Sequence, residues 1–225
     1  MKRTITPELL DTDSGSPSEI AGSLADLRLI NRYFGSAATL AHLLRRVAAK
    51  SGAPRLRLLD VGAASGDLAR NVANRLHPQN IEIAVTLLDR AASHFGNNGL
   101  TRVAADALAL PFGDSTFDVV ACSTFAHHLD PEELLRFAND ALRVARLAVI
   151  INDIRRHPLH LALVYAGFPL FRSRITRHDG PASVRRAYTL DELRSVLQQS
   201  IVQSKARSIE TSRHYLFRMG AIAWK

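Results

Sequence analysis

The chain has 225 residues, of which 47% are hydrophobic and 22% are charged, as is ordinary for one globular domain and short for two. Its formal net charge of +8 is compatible with binding a nucleic acid or an anionic substrate. It can equally reflect only the codon usage of a GC-rich genome. No apolar run reaches the roughly 18 residues that cross a bilayer, and the N-terminus lacks the apolar centre of a signal peptide, so we expect a cytoplasmic protein. The single cysteine, Cys122, excludes an intramolecular disulfide and makes no zinc site by itself, and no metal is expected.

The N-terminal fifth of the chain divides into an arm and a helical segment. Residues 1–19 are rich in Ser, Thr, Asp and Pro and show little periodicity, which predicts a loose arm. From residue 20 to residue 50 the apolar residues recur at helical spacing, and Gly35 and Ser36 interrupt the pattern. Two N-terminal helices are therefore predicted.

Strand and helix patterns then alternate over residues 55–154. They predict, in order, a strand at 56–61, a glycine turn, a helix at 66–76, strands at 81–88, 102–104 and 117–123, a helix at 131–144 and a strand at 147–151. Strands that alternate with helices favour a doubly wound, mostly parallel sheet covered on both faces. This α/β core is the segment in which we expect a ligand.

The last third of the chain departs from the alternation. Residues 155–188 hold an apolar helical stretch at 157–171 and then an irregular, arginine-rich run, which predicts a cap inserted over the carboxyl edge of the sheet. Thr189 and Glu192 have the spacing of a capping box that opens a closing helix. Two extended segments, about 206–213 and 215–224, are separated so briefly that they predict an antiparallel pair. Residues 1–225 are thus interpreted as a single domain.

The stretch LLDVGAASGDLA, residues 58–69, places Asp60 at the end of a strand, directly before a turn that contains Gly62 and Gly66. A strand, a glycine turn and a helix N-terminus form a cradle for a nucleoside or an anion, although an ordinary turn without a ligand has the same pattern. A dinucleotide site needs the spacing G-x-G-x-x-G, which is absent, and Asp60 would repel a diphosphate. A ligand with an ammonium or sulfonium charge, such as S-adenosylmethionine, suits this carboxylate better.

Four segments in chain order resemble the motifs of the class I S-adenosylmethionine-dependent methyltransferases: LLDVGAASGD, TLLDR, VAADALALPF and FDVVACSTFAHHL. The resemblance implies the seven-stranded, Rossmann-like methyltransferase fold and S-adenosylmethionine as cofactor. Two later segments, INDIRRHP and RHDGPASVRRAYT, more loosely resemble the small-molecule methyltransferases of the ubiquinone- and menaquinone-biosynthesis type (type 11). The helix before the fifth strand lacks the Pro-Gly-Gly turn common in that group, so a tight junction is expected there.

The resemblance also implies roles for individual residues. It directs Asp60 toward the methionine amino group, Asp89 toward the ribose hydroxyls and Asp106 toward the adenine amino group. Ala64 stands where many members have glycine, a small-for-small exchange. The implied cofactor-binding residues are Asp60, Gly62, Ala63, Ala64, Gly66, Asp89, Arg90, Asp106, Ala107 and Ser123.

Methyl transfer to a hydroxyl requires positioning of the acceptor and removal of its proton. His127 and His128 follow the fourth strand, at the edge where ligands of parallel sheets bind, and are candidate bases. Their alternative role is to lead into a helix that Asp130 caps. Asp153, at the end of the fifth strand, is a further candidate base or anchor, and its alternative is an ion pair with a following arginine.

Four residues are candidates for substrate binding: Tyr33, Phe34, Arg155 and His178. The aromatic pair could close over a ligand, although such a pair is more often core. His178, with Asp179, is also a third option for the base, and a simple turn at this point is the alternative. Seven arginines between residues 155 and 186, against one acid, favour an anionic substrate or reflect arginine-rich coding.

These observations predict a methyltransferase that acts on a small phenolic or quinol-like acceptor, with an apolar pocket under residues 157–171. Two alternatives remain. The positive charge favours an RNA methyltransferase, but the chain shows no aromatic stacking series and no separate RNA-binding module. The other alternative is a noncatalytic relative that only binds the cofactor.

Overall fold

The fold is described by a computed structural model, which covers residues 1–96, 99–203 and 205–225. Within these residues seven strands and seven helices follow one another, besides single 3₁₀ turns. In chain order they are α1 (Pro17–Tyr33), α2 (Ser36–Ser51), β1 (Arg55–Val61), α3 (Asp67–Leu76), β2 (Glu82–Asp89), β3 (Thr101–Ala104), β4 (Phe117–Ser123), α4 (Pro131–Val144), β5 (Ala145–Ile154), α5 (Pro158–Ala166), α6 (Arg174–Arg186), α7 (Leu190–Val202), β6 (Ser208–His214) and β7 (Arg218–Trp224). None of the described helices has both the length and the apolarity to cross a membrane.

The seven strands form one sheet in the order β3-β2-β1-β4-β5-β7-β6. The five strands from β3 to β5 pair in parallel, and β7 pairs antiparallel with β5 and β6. The predicted doubly wound, mostly parallel sheet and its terminal antiparallel pair are confirmed. The turn between β6 and β7 lies at residues 215–217, later than predicted, and Leu216 and Phe217 adopt positive φ there.

The sheet separates two layers of apolar packing. On one face, Leu59 of β1 belongs to a cluster with Phe137 of α4 and Leu193 of α7. On the other face, Leu58 belongs to a cluster with Leu44 of α2 and further residues of α3. Because consecutive strand residues point to opposite faces, the apolar run of β1 is buried on both sides. This rigid centre fixes the position of the strand ends.

Two helices begin as the sequence predicts. Asp130 caps α4 and Thr189 caps α7, and each accepts a hydrogen bond from the backbone N–H of the glutamate three residues later. At its other end, α4 finishes at Val144 and β5 begins at Ala145. The tight junction expected from the missing Pro-Gly-Gly turn is therefore observed.

The predicted loose arm, residues 1–19, is ordered: residues 17–19 begin α1, and residues 1–16, called the arm from here on, pack against the cap and the turn after β4. The backbone N–H groups of Leu9 and Leu10 donate to the two carboxylate oxygens of Asp179, over 2.8 and 3.0 Å. The Arg3 guanidinium donates to the carbonyl oxygen of Leu129 over 2.8 Å. Composition does not predict that the arm is ordered, because the residues that hold it are all distant in sequence.

The cap, residues 155–188, contains two helices. The prediction that its arginine-rich part is irregular is therefore wrong. Helix α6 runs through Pro181, where the sequence analysis allowed a turn. Ser173 caps its N-terminus, and Ile175, Asp179 and Ala182, which share one helical face, are buried. Burial of this face against α1 and α5 outweighs the hydrogen bond lost at the proline. Helix α5, by contrast, buries none of its residues fully.

Candidate functional site

Carboxylates gather at the edge where the parallel strands end. Asp60 is the penultimate residue of β1, Asp89 ends β2, and Asp153 is the penultimate residue of β5. These strands and β4 lie side by side in the sheet. Ligands of open α/β sheets bind at this edge, so the sheet brings the predicted site residues to the appropriate end of the molecule.

The glycine loop, residues 62–66, joins β1 to α3. Gly62, Ala64 and Gly66 have φ values of 67°, 45° and 73°, in a region that glycine enters without steric cost. A Cβ on Gly62 would lie within 2.6 Å of the Phe125 ring. The loop shape therefore requires glycine at residue 62, whereas Ala64 tolerates a left-handed conformation at some cost.

The Asp60 carboxylate is buried, and one of its two oxygens lacks a hydrogen-bond partner within the described residues. The residue is 2% exposed, and its Oδ1 has no hydrogen-bond partner in residues 1–96, 99–203 and 205–225. Burial and the neighbouring charge of Asp89 raise the pKa of Asp60 to about 7. An unpaired buried acceptor is costly, so this atom fits a donor or a cation that a ligand supplies.

The Asp89 carboxylate holds the glycine loop. Its Oδ2 accepts from the backbone N–H of Ala64 over 2.8 Å, and its Oδ1 accepts from that of Ala91 over 3.0 Å. A carboxylate offers about four acceptor positions. Asp89 therefore retains the capacity to bind two hydroxyls, as the implied ribose contact requires.

The third implied motif forms a turn after β3. Asp106 is exposed and accepts from the backbone N–H of Leu108 over 2.8 Å, while Ala107 is buried. Arg90 is exposed and donates to the carbonyl oxygen of Asp11 over 3.4 Å. The carboxylate of Asp106 is thus open to a ligand, and Arg90 contacts the arm.

Asn152 supports the end of β4 from β5. Its Nδ2 donates to the Ser123 hydroxyl and to the carbonyl oxygen of Ser36, each over 3.1 Å, and the residue is completely buried. Ser123, an implied cofactor residue, is therefore held from behind. The contact also attaches the start of α2 to the carboxyl edge of the sheet.

A cavity of about 270 Å³ lies between the glycine loop and α1. The loop contributes Ala63 and Ala64 to its wall, and α1 contributes Arg28 and Asn31. The volume is near the lower end of the range of about 300–1,000 Å³ found for ligand pockets. The loop is thus reached from a cleft that α1 partly covers.

His127 is enclosed by two carboxylates. Its backbone N–H and its Nδ1 donate to Asp153, over 2.9 and 2.8 Å, and its Nε2 lies 3.6 Å from Oε1 of Glu8. Burial alone would lower the pKa of His127, but the charge and hydrogen bond of Asp153 and the nearby charge of Glu8 outweigh it and raise the pKa to about 9. The ring is 1% exposed, so an acceptor reaches Nε2 only when the arm that carries Glu8 moves.

The neighbouring His128 also lies between two carboxylates. Its Nδ1 lies 3.0 Å from Oδ2 of Asp11, and its Nε2 lies 3.8 Å from Oε2 of Glu8. The histidine side chain is 18% exposed. The structure thus brings together His127, His128 and Asp153, the three predicted catalytic residues, and adds two acids from the arm.

Arg218 is a buried cation at the start of β7. Its guanidinium donates to the Thr124 hydroxyl over 2.9 Å, to Oδ1 of Asn31 over 3.3 Å and to the carbonyl oxygen of Phe34 over 3.4 Å. Burial lowers the pKa of Arg218 to about 10, although the charge of Asp153 opposes this. Arg218 stays charged at neutral pH and attaches α1 to the end of β4.

The predicted substrate-binding residues lie on three separate segments. Tyr33 and Phe34, at the end of α1, are 64% and 46% exposed, so their alternative role as core residues is wrong. Arg155 follows β5 and is half-buried. His178 lies on α6, is exposed, and contacts Asp179 over 2.8 Å.

Three site residues, Glu8, Asp11 and Arg218, are not predicted from the sequence. The two acids lie in PELLDTD, a segment without periodicity, and no local pattern links them to histidines more than a hundred residues away. Arg218 had a usable signal, because a charge at the start of the apolar strand RMGAIAW needs buried partners.

Comparisons of sequence agree with this geometry. Residues 58–147 match a family model described as a methyltransferase domain. A curated relative from Oryza sativa subsp. japonica, the chloroplastic 2-methyl-6-phytyl-1,4-hydroquinone methyltransferase 2, is 29% identical over 108 residues. That match covers 46% of this chain and 30% of the relative. The matched part therefore spans less than a third of the relative's length.

Comparisons of structure cover almost the whole chain. The plantazolicin methyltransferase BamL, solved with a triazolic desmethylPZN analog and SAH, has a TM-score of 0.70 at 11% identity, covering 96% of this chain and 94% of that one. Magnesium protoporphyrin IX methyltransferase (ChlM) from Synechocystis PCC 6803, solved with SAH, has a TM-score of 0.55 at 18% identity, covering 85% and 83%. At these identities the similarity concerns the fold.

Proposed function

We propose that the chain is a class I S-adenosylmethionine-dependent methyltransferase and that it transfers a methyl group from S-adenosylmethionine to a hydroxyl of a small aromatic acceptor such as a phenol or a quinol. The observation that carries this proposal is the buried Asp60 carboxylate beside the glycine loop, whose Oδ1 has no hydrogen-bond partner among the described residues. A diphosphate would be repelled there, whereas a cationic methionine group is attracted.

Four acidic or backbone features fit the cofactor. Asp60 favours its positive charge, Asp89 accepts from the ribose hydroxyls and Asp106 accepts from the adenine amino group. Gly62 and Gly66 give the loop the shape that lets the ligand approach the backbone. When bound, S-adenosylmethionine supplies a methyl group on a cationic sulfur, a strong electrophile that needs little further activation.

The acceptor class is supported by two observations. The curated relative from rice is named for a hydroquinone. In addition, α5 exposes apolar side chains, among them Leu159 and Leu163, on the cap that follows β5. A small aromatic acceptor with an apolar part would find such a surface next to the carboxyl edge.

We assign activation of the acceptor hydroxyl to the cluster formed by Glu8, His127 and His128. Its two histidines follow β4, next in the sheet to the strand that carries Asp60, and Glu8 reaches them from the arm. Asp153 acts as a positioning residue, because it holds both the backbone and the ring of His127.

The test is turnover with a defined panel. The purified chain is incubated with S-adenosylmethionine and with phenols, hydroquinones or bulk RNA, and formation of S-adenosylhomocysteine is measured. We expect product with at least one phenol or hydroquinone and none with RNA. Turnover with RNA alone would support an RNA methyltransferase, and cofactor binding without any turnover would support a noncatalytic relative.

A pair of variants tests the cofactor site by calorimetric titration with S-adenosylmethionine. Asp89→Ala removes a charge-assisted hydrogen-bonding group and should weaken S-adenosylmethionine binding by about 2–3 kcal/mol. Asp191→Ala removes an exposed aspartate in the first turn of α7 and should leave binding unchanged. Equal affinities of the two folded variants in calorimetric titration would remove Asp89 from the site.

A further inference from the structure

Glu8, His127 and His128 form a cluster with the composition of a divalent-metal site, and we propose that it binds a transition-metal ion of the Zn²⁺ class. One ligand atom from each residue, a ring nitrogen of either histidine and a carboxylate oxygen of Glu8, lies within 4.8 Å of the others. Two imidazole nitrogens and one carboxylate oxygen are a set that Zn²⁺ uses where a fourth position stays open. The sequence alone indicated no metal, because Glu8 comes from the arm.

The distances within the cluster suit ligands around an ion better than direct partners. Nε2 of His127 lies 3.6 Å from one Glu8 oxygen, and Nε2 of His128 lies 3.8 Å from the other. Both separations exceed hydrogen-bond length. Ligands at about 2.0–2.2 Å from a tetrahedral Zn²⁺ are about 3.3–3.5 Å apart, so these two histidine–glutamate separations need to contract only slightly.

Both histidines are oriented as metal ligands usually are. Nδ1 of His127 contacts Asp153 over 2.8 Å, and Nδ1 of His128 contacts Asp11 over 3.0 Å. Carboxylates that hold one ring nitrogen fix the tautomer and leave the other nitrogen free to bind a metal. Here both free nitrogens are directed at the same carboxylate.

Two atoms of the cluster are buried and unsatisfied. In the part of the chain that the structure describes, Oε1 of Glu8 and Nε2 of His127 have no hydrogen-bond partner. Such atoms are costly unless a ligand binds them. The 18% exposed side chain of His128 leaves a route for an ion to enter from solvent.

The opposite interpretation is a structural ion triad without a metal. A proton on His127 would then supply the positive charge between Glu8 and Asp153. Two arginines also offset the surrounding acids: Arg186 lies 3.5 Å from Asp11, and the buried Arg218 interacts with Asp153. A metal ion would replace that proton, so direct metal titration separates the two cases.

The catalytic consequence rests on the proposed function. The open position would take the acceptor hydroxyl and lower its pKa, as bound Zn²⁺ does for water. The hydroxyl proton then leaves to solvent, and the ionised oxygen bonds to the methyl carbon while the carbon–sulfur bond breaks and its electrons stay on sulfur. The arm, by supplying Glu8, would couple metal binding to closure of the site.

Calorimetric titration of the untagged, EDTA-treated full chain with ZnCl₂ tests the site. We expect one ion per chain, and a visible absorption spectrum of four-coordinate Co²⁺ when CoCl₂ is used instead. Glu8→Gln and His128→Gln should each weaken Zn²⁺ binding at least tenfold. His94→Gln is the matched control, because Nε2 of His94 also contacts an acid of the arm, Asp13 over 2.6 Å, but lies outside the cluster.

Absence of saturable binding, or binding by Glu8→Gln equal to that of the original chain, overturns the metal site. Thermal melting without metal shows whether a variant is folded, and the part-exposed His128→Gln keeps the test available where Glu8→Gln does not fold. Full turnover by the EDTA-treated chain overturns the catalytic role. Zinc binding without turnover on any acceptor supports the site and counts against the proposed function alone.

Discussion

Asp153 binds His127 twice, through the backbone N–H over 2.9 Å and through Nδ1 over 2.8 Å, and both residues are buried. The carboxylate at the end of β5 thus fixes the turn that follows β4. The same contacts, with the charge of Arg218, hold the pKa of Asp153 below its usual value despite burial, which would raise it. The pair is therefore an ionic connection between the two strands that carry the candidate chemistry.

Replacing one member of this pair should be strongly destabilising. Asp153→Asn keeps the size of the side chain but removes a charge that a buried histidine and arginine require, so we expect the free energy of unfolding to fall by about 3–5 kcal/mol. Urea unfolding measures this loss. Asp114→Asn, which changes an exposed ion pair with Arg143, should have little effect, and a similar loss in both variants would contradict this account.

The sheet could be predicted because its signals are local. Apolar runs of strand length, Thr189 and Asp130 as caps, and glycines in the loop each act within a few residues. Their order then determines a parallel sheet, and parallel strand ends bring Asp60 and Asp89 to one edge.

The arm and the cap could not be predicted because their stability comes from distant partners. Leu9 and Leu10 are ordered by Asp179, about 170 residues later in the chain. Helix α6 persists through Pro181 because of burial against other helices, which outweighs local propensity. The histidines were found from their position after β4, but Glu8, which completes their cluster, lies in the arm.

The strain at Ala64 predicts a stabilising substitution. A φ of 45° destabilises alanine by about 1–2 kcal/mol relative to glycine. Glycine in turn makes the unfolded chain more flexible, which lowers the free energy of unfolding by about 0.4–1 kcal/mol. Ala64→Gly should therefore raise the free energy of unfolding by up to about 1 kcal/mol. Its neighbour Ala63 has negative φ and packs on the core, so Ala63→Gly should lower it. Chemical denaturation showing the same sign for both would contradict the strain.

Arg3 is predicted to hold the arm closed. Its guanidinium donates to the carbonyl oxygens of Arg186 and Leu129, over 2.7 and 2.8 Å, and lies 4.2 Å from the centre of the Tyr188 ring. Arg3→Ala removes these charge-assisted bonds and should speed cleavage of the arm by proteinase K about tenfold or more. Lys2→Ala, at an exposed neighbouring position, should leave the rate unchanged. Equal rates would mean that the contacts of Leu9 and Leu10 suffice.

The raised pKa of Asp60 predicts that pH affects stability and cofactor binding in opposite directions. Its pKa in the folded chain is raised from 3.8 to about 7, so the folded state favours the protonated form. Stability from this group is present below pH 4 and declines as pH rises from about 4 to 7. Asp60→Asn, which stays neutral, should therefore unfold at the same free energy as the original chain near pH 4 and be more stable by up to about 4 kcal/mol at pH 8.

Binding of S-adenosylmethionine should change in the other direction, because its cationic sulfonium favours the ionised carboxylate. Between pH 6 and pH 7.5 the affinity should rise about fivefold or more as Asp60 loses its proton. Adenosine carries no such charge, so its affinity should stay level, and Asp60→Asn should weaken S-adenosylmethionine more than adenosine and flatten its pH profile. Calorimetry on both ligands with both proteins decides the matter. Equal losses for the two ligands would show that Asp60 only shapes the turn, and the electrostatic reason for preferring a cationic ligand to a dinucleotide would then be wrong.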